Sequence, residues 1–226
     1  MLRGILFDLD NTLIDFMKMK KMGCEAAIAA MIDSGLEMDK RKAYRLLFKL
    51  YGEHGIEHQH IFQLFLKKTL GTVDYRILAN AITAYRKVQV GFQEPYPRVR
   101  PTLIGLRARG LQLGVVSDAP KLKAWLRLAE MNLTHFFDAV ITLGDAKQLK
   151  PSKKPFELAL KQLGLQPFEV LYVGDNPARD IKGAKKVGMR TALAEYGRLF
   201  PARGVKPDFV LKRVDGVLSI ADRLTR

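Results

Sequence analysis

The chain has 226 residues, of which 48% are hydrophobic and 27% are charged, and its net charge is +15. These values are ordinary for a globular protein with one large domain and an insertion, and they exclude a low-complexity chain. No apolar run approaches the ~20 residues that span a bilayer, and the single cysteine, Cys24, excludes an internal disulfide. Since no secretory signal is apparent, we expect a cytoplasmic protein.

The positive charge admits three kinds of partner, namely nucleic acid, an anionic membrane or a small anionic substrate. The basic residues are dispersed along the chain, and aromatic residues are not interleaved with them into a nucleic-acid platform. We therefore expect solvated helix faces, with no specific nucleic acid and no membrane as partners. A regulatory protein that binds a partner through this basic surface stays open as an alternative.

The first predicted strand, Ile5 to Phe7, ends in Asp8 and Asp10, two carboxylates two residues apart. A short apolar run of this kind is typical of a buried strand in a parallel sheet, where ligands bind beyond the carboxyl end. Two partly buried like charges need a neutralising group. Mg²⁺ would supply it, with phosphate adding further oxygens.

Residues 16–91 have the pattern of consecutive helices with few strand signals. The pattern predicts helices over residues 25–32 and 39–51, a third near residues 61–70 and a fourth near residues 77–85. Pro95, Tyr96 and Pro97 then interrupt helical continuation as far as Pro101. We therefore predict a helical insertion over residues 16–94.

Strands and helices alternate from Pro101 onward. The predicted strands cover residues 111–116, 139–142, 170–173, 190–193 and 209–211. The predicted helices cover residues 103–109, 121–131, 156–163, 178–187 and 217–224. Alternation of this kind predicts an α/β fold with a Rossmann-like three-layer core, in which a parallel sheet lies between helices. Residues 1–15 and 95–226 would form this core.

Polar side chains end three of the predicted strands: Asp8 with Asp10, then Ser117, then Asp175 after Gly174. The carboxyl ends of parallel strands share one edge of the sheet, so we expect these side chains to converge.

Two further charged residues belong with this edge. Lys150, held before Pro151, is the candidate to neutralise phosphoryl charge, with Lys147, Lys153 and Lys154 as nearby competitors. Asp180 is either a favourable charge at a helix N-terminus or a support for a metal site.

Four ordered segments resemble the motifs of the haloacid dehalogenase superfamily. They are Asp8-Leu9-Asp10-Asn11-Thr12, Ser117, Lys150-Pro151 and Gly174 to Asp180. The resemblance covers the predicted α/β core, and the helical insertion resembles the C1 cap of subfamily I. The length, the Pro-Tyr-Pro hinge and the cap pattern resemble, more narrowly, the archaeal members that act on glyceraldehyde 3-phosphate.

The resemblance implies a role for each matching residue. Asp8 would be the nucleophile that becomes an aspartyl phosphate, and Asp10 would be the general acid and then the general base. Asp8, Asp175 and the Asp10 carbonyl would hold Mg²⁺, while Asp180 would support the metal site or orient the catalytic Lys150. The implied substrate-binding residues are Asn11, Thr12, Ser117, Asp118 and Lys150.

The presence of Asp10 separates two branches of the superfamily, because an alkoxide leaving group needs a proton donor and a halide does not. We therefore expect a Mg²⁺-dependent phosphatase of a small phosphorylated metabolite, glyceraldehyde 3-phosphate or another sugar or triose phosphate. We expect a monomer or homodimer. A phosphomutase on the same fold is the second alternative.

Lys147 departs from the glycine that relatives often carry three residues before the motif lysine.

Overall fold

The computed structural model describes residues 1–92, 94–201 and 204–225. The chain divides into two compact units, one formed by residues 1–15 and 94–226 and the other by residues 16–93. The first unit is therefore assembled from two stretches of sequence that the second unit separates.

The second unit is helical. It contains α1 (Phe16–Asp33), α2 (Lys40–His54), α3 (Ile61–Leu70) and α4 (Tyr75–Phe92). The Asp39 carboxylate caps α2 by accepting the backbone N–H of Lys42 at 2.9 Å, as expected of an N-cap residue. Cys24, Leu47 and Phe65 are fully buried in the core of this unit. None of the helices in the described ranges combines the length and the apolar character that crossing a bilayer demands.

The first unit is built on a parallel sheet of six strands. They are β1 (Gly4–Phe7), β2 (Gln112–Val116), β3 (Ala139–Ile141), β4 (Val170–Gly174), β5 (Arg190–Ala194) and β6 (Phe209–Leu211). The strand order is β3-β2-β1-β4-β5-β6, and every neighbouring pair is parallel. The predicted α/β fold class is confirmed.

The strand order reverses at β1, where chemistry collects in sheets of this type. The chain moves from β1 outward to β2 and β3, then returns to place β4 on the other side of β1. Phe7 is in register with Val115 of β2 and with Val173 of β4. The residues that follow these three strands therefore emerge side by side.

Helices cover the sheet. They are α5 (Val99–Ala108), α6 (Lys121–Glu130), α7 (Leu143–Ala146), α8 (Lys154–Leu163), α9 (Lys182–Lys186) and α10 (Gly216–Thr225). Phe156 and Ala159 of α8 pack with Leu6, Val116 and Tyr172 of the sheet in one buried cluster. This packing is the helix-on-sheet layering that the alternating pattern predicts.

Three local predictions differ from the structure. Helix α5 begins at Val99, so Pro101 lies inside its first turn rather than before it. Proline is tolerated there because the first N–H groups of a helix have no intrahelical partner. Helix α7 was not predicted, although Thr142 and Asp145 form a capping box at its start. The helix predicted from residue 178 begins as a π-helical turn, Pro177–Ile181.

Candidate active site

Three carboxylates meet at the carboxyl ends of β1 and β4. Asp8, Asp175 and Asp180 each place one oxygen within 4.8 Å of the others, and the three residues are 6%, 4% and 1% exposed. Asp8 directly follows β1, and its N–H continues the ladder to the carbonyl of Val173 at 2.8 Å. Two of the strand-end residues expected to converge, Asp8 and Asp175, therefore lie together, and Asp180 joins them.

Lys150 lies inside this acidic cluster. Its Nζ is 2.5 Å from Asp8 Oδ1 and 2.7 Å from Asp180 Oδ1, and it also donates to the Val116 carbonyl at 3.1 Å. The residue is 4% exposed, whereas Lys147, Lys153 and Lys154 are exposed. The structure thus selects Lys150 from the lysines that the sequence left as competitors.

Tyr172 is a member of the site that sequence reasoning missed. Its ring packs edge-on against Phe156 in the core, with centroids 5.0 Å apart. Its hydroxyl accepts from Lys150 Nζ at 3.2 Å and donates to Asp180 Oδ1 at 3.1 Å. A tyrosine in the middle of an otherwise apolar strand was the available signal, because a buried phenol needs a polar partner.

Asp180 is held by the turn that follows β4. Its Oδ2 accepts the backbone N–H of Asn176 at 2.9 Å, while the Asn176 side chain accepts the N–H groups of Ala178 and Arg179. A Cβ on Gly174 would lie 2.6 Å from Asp180 Cγ. Glycine at position 174 therefore permits the close approach of Asp180 to the sheet.

Asp10 contacts a second residue that the sequence did not single out. Nη1 of Arg127, on α6, donates to Asp10 Oδ2 at 2.7 Å. The Arg127 side chain is 5% exposed and that of Asp10 is 23% exposed. An arginine on the buried face of a helix was the available signal, because a buried cation needs a partner.

Ser117 and Asp118 follow β2. Ser117 is buried, and its Oγ accepts the N–H of Ala119 at 3.1 Å. The Asp118 carboxylate accepts the backbone N–H of Lys150 at 2.9 Å and a bond from Arg179 Nη1 at 3.2 Å. Asp118 thus orders the loop that carries Lys150, and its contact with substrate stays a prediction.

Asn11 and Thr12 form the turn after Asp10. Asn11 has a φ of 60°, a left-handed conformation that asparagine tolerates better than most residues. The hydroxyl of Thr12 lies 3.4 Å from Asp8 Oδ2, and the Thr12 carbonyl accepts from the Tyr196 hydroxyl at 2.8 Å. Any side chain on Gly197 would collide with the Asn11 carbonyl. Tyr196 and Gly197, which follow β5, therefore hold this turn in place. Substrate contacts of Asn11 and Thr12 stay predictions.

Lys147, where relatives often carry glycine, has a φ of 56° and ends α7. Its backbone adopts the left-handed conformation without the glycine, so the departure from the family pattern leaves the turn in place. A non-glycine residue in this region carries a cost of roughly 1–2 kcal/mol.

Burial and mutual repulsion dominate the electrostatics of the cluster. Burial raises the pKa of Asp8 to about 7, although the Lys150 ammonium opposes the rise. Burial, followed by the charges of Asp8 and Asp180, raises the pKa of Asp175 to about 9. Burial lowers the pKa of Lys150, but the carboxylates of Asp180 and Asp8 outweigh it and hold that pKa well above its usual range.

These residues fit a hard divalent cation. The donor set consists of carboxylate oxygens, which Mg²⁺ prefers. The raised pKa values of Asp8 and Asp175 mark a site whose negative charge a cation would stabilise. The motif resemblance implies Asp8 and Asp175 as the direct ligands and Asp180, whose oxygens accept from Lys150 and from the N–H of Asn176, as their support.

Comparison with known proteins identifies the family. The family model for haloacid dehalogenase-like hydrolases matches residues 5–194. The chain is 38% identical over 198 residues to a glyceraldehyde 3-phosphate phosphatase of Methanocaldococcus jannaschii, covering 88% of this chain and 87% of the relative. It is 34% identical over 232 residues to a glyceraldehyde 3-phosphate phosphatase of Methanopyrus kandleri, covering 100% of both.

The chain belongs to the haloacid dehalogenase-like hydrolase family, and it is a phosphoric monoester hydrolase. The resemblance based on the four motifs is confirmed. A magnesium-bound hydrolase of this family from Bacillus subtilis aligns with a TM-score of 0.72 at 19% identity, covering 97% of this chain and 98% of that one. At that identity the likeness concerns the fold alone.

Proposed function

We propose that this phosphatase depends on Mg²⁺, forms an aspartyl phosphate on Asp8, and hydrolyses glyceraldehyde 3-phosphate or a closely related triose or sugar phosphate. The observation that carries the proposal is the position of Asp8. Its buried carboxylate contacts Lys150 at 2.5 Å and shares one cluster with Asp175. A nucleophile placed between an ammonium and a cation-binding carboxylate is suited to attack on an anionic phosphate ester.

The residues present account for both halves of the reaction. An oxygen of Asp8 attacks phosphorus, the bond from phosphorus to the leaving oxygen breaks, and Asp10 gives its proton to that oxygen. Asp10 then takes a proton from water while the water oxygen attacks phosphorus. The bond between Asp8 and phosphorus breaks, and inorganic phosphate leaves.

Two groups stabilise the transferring phosphoryl oxygens in this proposal. The Oγ of Ser117 accepts the N–H of Ala119, so the Ser117 proton is directed to another acceptor. Lys150 is held between Asp8 and Asp180 and stays charged at working pH. A preoriented hydroxyl donor and a fixed positive charge both stabilise negative charge as it develops. Mg²⁺, when held by Asp8 and Asp175, would reduce the repulsion between the nucleophile and the phosphate.

The substrate assignment follows from the relatives. Both aligned archaeal proteins are named glyceraldehyde 3-phosphate phosphatases, and the alignment with one of them spans the full length of both chains. We also propose that residues 16–93 act as the C1 cap that the motif resemblance implies, and that this unit selects the leaving group.

The test is a panel of triose and sugar phosphates ranked by kcat/KM, with release of inorganic phosphate as the readout. We expect glyceraldehyde 3-phosphate or a close relative to rank first, EDTA to abolish turnover and Mg²⁺ to restore it.

Asp8→Asn is expected to abolish turnover of every substrate. Near-wild-type activity of Asp8→Asn would exclude the nucleophile assignment. Phosphoryl return to the sugar without phosphate release would indicate a phosphomutase.

A further inference from the structure

The ion pair between Arg127 and Asp10 connects α6 to the end of β1. Nη1 of Arg127 and Oδ2 of Asp10 are 2.7 Å apart, and the two residues are 117 positions apart in sequence. The arginine side chain is almost completely enclosed, at 5% exposure. A charge-assisted hydrogen bond of this length and burial is among the stronger contacts a carboxylate makes.

Packing of α6 does not account for an arginine at this position. The buried residues of α6 are Ala124, Arg127 and Leu128, the spacing of a helix face that turns toward a core. Taking a guanidinium out of water is costly, and a buried ion pair is often no more stabilising than packed apolar side chains. Polar contacts rather than packing therefore account for an arginine on this face, and its 2.7 Å bond to Asp10 reaches the end of β1.

We propose that Arg127 is a positioning residue that fixes the Asp10 carboxylate for proton transfer to and from the reacting oxygens. The inference rests on the proposed role of Asp10 as general acid and base. A free aspartate samples several side-chain torsions, and a bond to one of its oxygens selects one orientation of the carboxylate plane. The guanidinium suits this task because it is planar and stays charged throughout the working pH range.

The proposal predicts a loss that depends on the leaving group. Phenolate needs a proton in order to leave phenyl phosphate. The need is smaller when p-nitrophenolate leaves p-nitrophenyl phosphate. The two substrates have similar shapes, and kcat/KM reports every step up to departure of the leaving group. For Arg127→Met we expect kcat/KM to fall ~10- to 100-fold with phenyl phosphate, part of the ~10² to 10⁴ that proton transfer supplies. With p-nitrophenyl phosphate we expect a loss below ~3-fold, because little proton transfer is needed there.

Asp10→Asn is the reference variant, and the double variant tests whether the two residues act as one unit. Asp10→Asn should show the same dependence on the leaving group, with a larger loss. Once Asp10 cannot transfer a proton, its orientation no longer matters, so adding Arg127→Met should reduce kcat/KM no further. If Asp10→Asn shows no such dependence, the proposed role of Asp10 fails. If Asp10→Asn shows it and Arg127→Met does not, the positioning role alone fails.

Two further variants separate positioning from folding. Arg127→Gln keeps a hydrogen-bond donor and most of the side-chain volume, and it should show the same selective loss even where Arg127→Met folds poorly. Arg109→Met removes an ion pair of the same length but at the surface, with Asp222 at 2.7 Å, and should leave the ratio of the two kcat/KM values unchanged. An equal loss with both substrates in Arg127→Gln, or multiplying losses in the double variant, would overturn the proposal.

Discussion

Lys150 Nζ lies 2.5 Å from Asp8 Oδ1, so a single ammonium joins the loop before α8 to the end of β1. The same nitrogen is 2.7 Å from Asp180 Oδ1. One buried cation therefore faces two buried carboxylates and offsets the charge of both. Removing this cation should have consequences for folding as well as for turnover.

Lys150→Met should destabilise the protein and abolish most activity. Loss of one partner of a buried ion pair leaves uncompensated charge, at a cost of ~3–5 kcal/mol. Denaturant unfolding measures this change, and phosphate release from p-nitrophenyl phosphate measures the activity. Lys153→Met is the matched control, because Lys153 is exposed, and its effect should stay within about 0.5 kcal/mol. A stable Lys150→Met with wild-type turnover would contradict the proposed role of this lysine.

The stability gained on adding Mg²⁺ should increase with pH. The folded protein raises the pKa of Asp8 to about 7 and that of Asp175 to about 9, both above the ordinary 3.8. Between pH 3.8 and about pH 9, the folded chain therefore binds more protons than the unfolded chain. The metal-free protein loses stability as the pH rises through this range. A cation that needs both carboxylates ionised competes with those protons and binds better at higher pH.

Thermal unfolding with and without Mg²⁺, at about pH 6 and about pH 8, tests this linkage. The increase in Tm on adding Mg²⁺ should be larger at the higher pH. Asp175→Asn should lose most of the increase at both values. An equal increase in Tm at both pH values would indicate that Mg²⁺ does not compete with protons at these carboxylates.

Ser117→Ala should lower kcat by ~10²- to 10³-fold, the typical effect of removing one preoriented donor. The hydroxyl is buried, and the N–H of Ala119 fixes its oxygen. We therefore expect that no water takes over as the hydrogen-bond donor in the variant. Steady-state kinetics with p-nitrophenyl phosphate measure the change. Ser219→Ala on α10, an exposed serine, should leave kcat unchanged. A loss below ~3-fold in Ser117→Ala would place this hydroxyl outside the phosphoryl site.

Gly174→Ala should destabilise the protein by ~1–3 kcal/mol, the range for overpacking. The new Cβ would lie 2.6 Å from Asp180 Cγ, so Asp180 or the backbone at position 174 would have to shift. We therefore expect weaker Mg²⁺ binding and lower kcat alongside the lower Tm. Gly52→Ala is the control, since a Cβ there meets open space. Alanine within helix α2 should stabilise by ~0.5–1 kcal/mol. Equal Tm changes in the two variants would contradict the steric argument.

Hydrophobic patterns over a few neighbouring residues of the sequence predicted the fold class correctly. Apolar runs of strand length alternate with helical periodicity, and each of the predicted strands is present within a few residues. Asp8, Ser117 and Asp175 could be assigned to one edge because parallel strands end at the same side of a sheet. That inference needed only the position of each residue relative to its own strand.

The members of the site that lie on helix faces or inside the core could not be assigned in this way. Arg127 reaches Asp10 across 117 positions and Tyr172 reaches Lys150 across 22. Each contact depends on the angle at which one element packs on another, and no local pattern encodes that angle. Likewise the sequence names Lys150 as the candidate but leaves Lys153 as a competitor, and only folding buries the first and leaves the second exposed.

The sequence by itself determined the parallel α/β architecture and the acidic strand ends, because strand propensity and hydrophobic period act over a few neighbouring residues. The tertiary structure alone decided which cation meets which carboxylate. The attraction within an ion pair is strong where both partners are shielded from water, and that shielding exists only after the helices have packed onto the sheet.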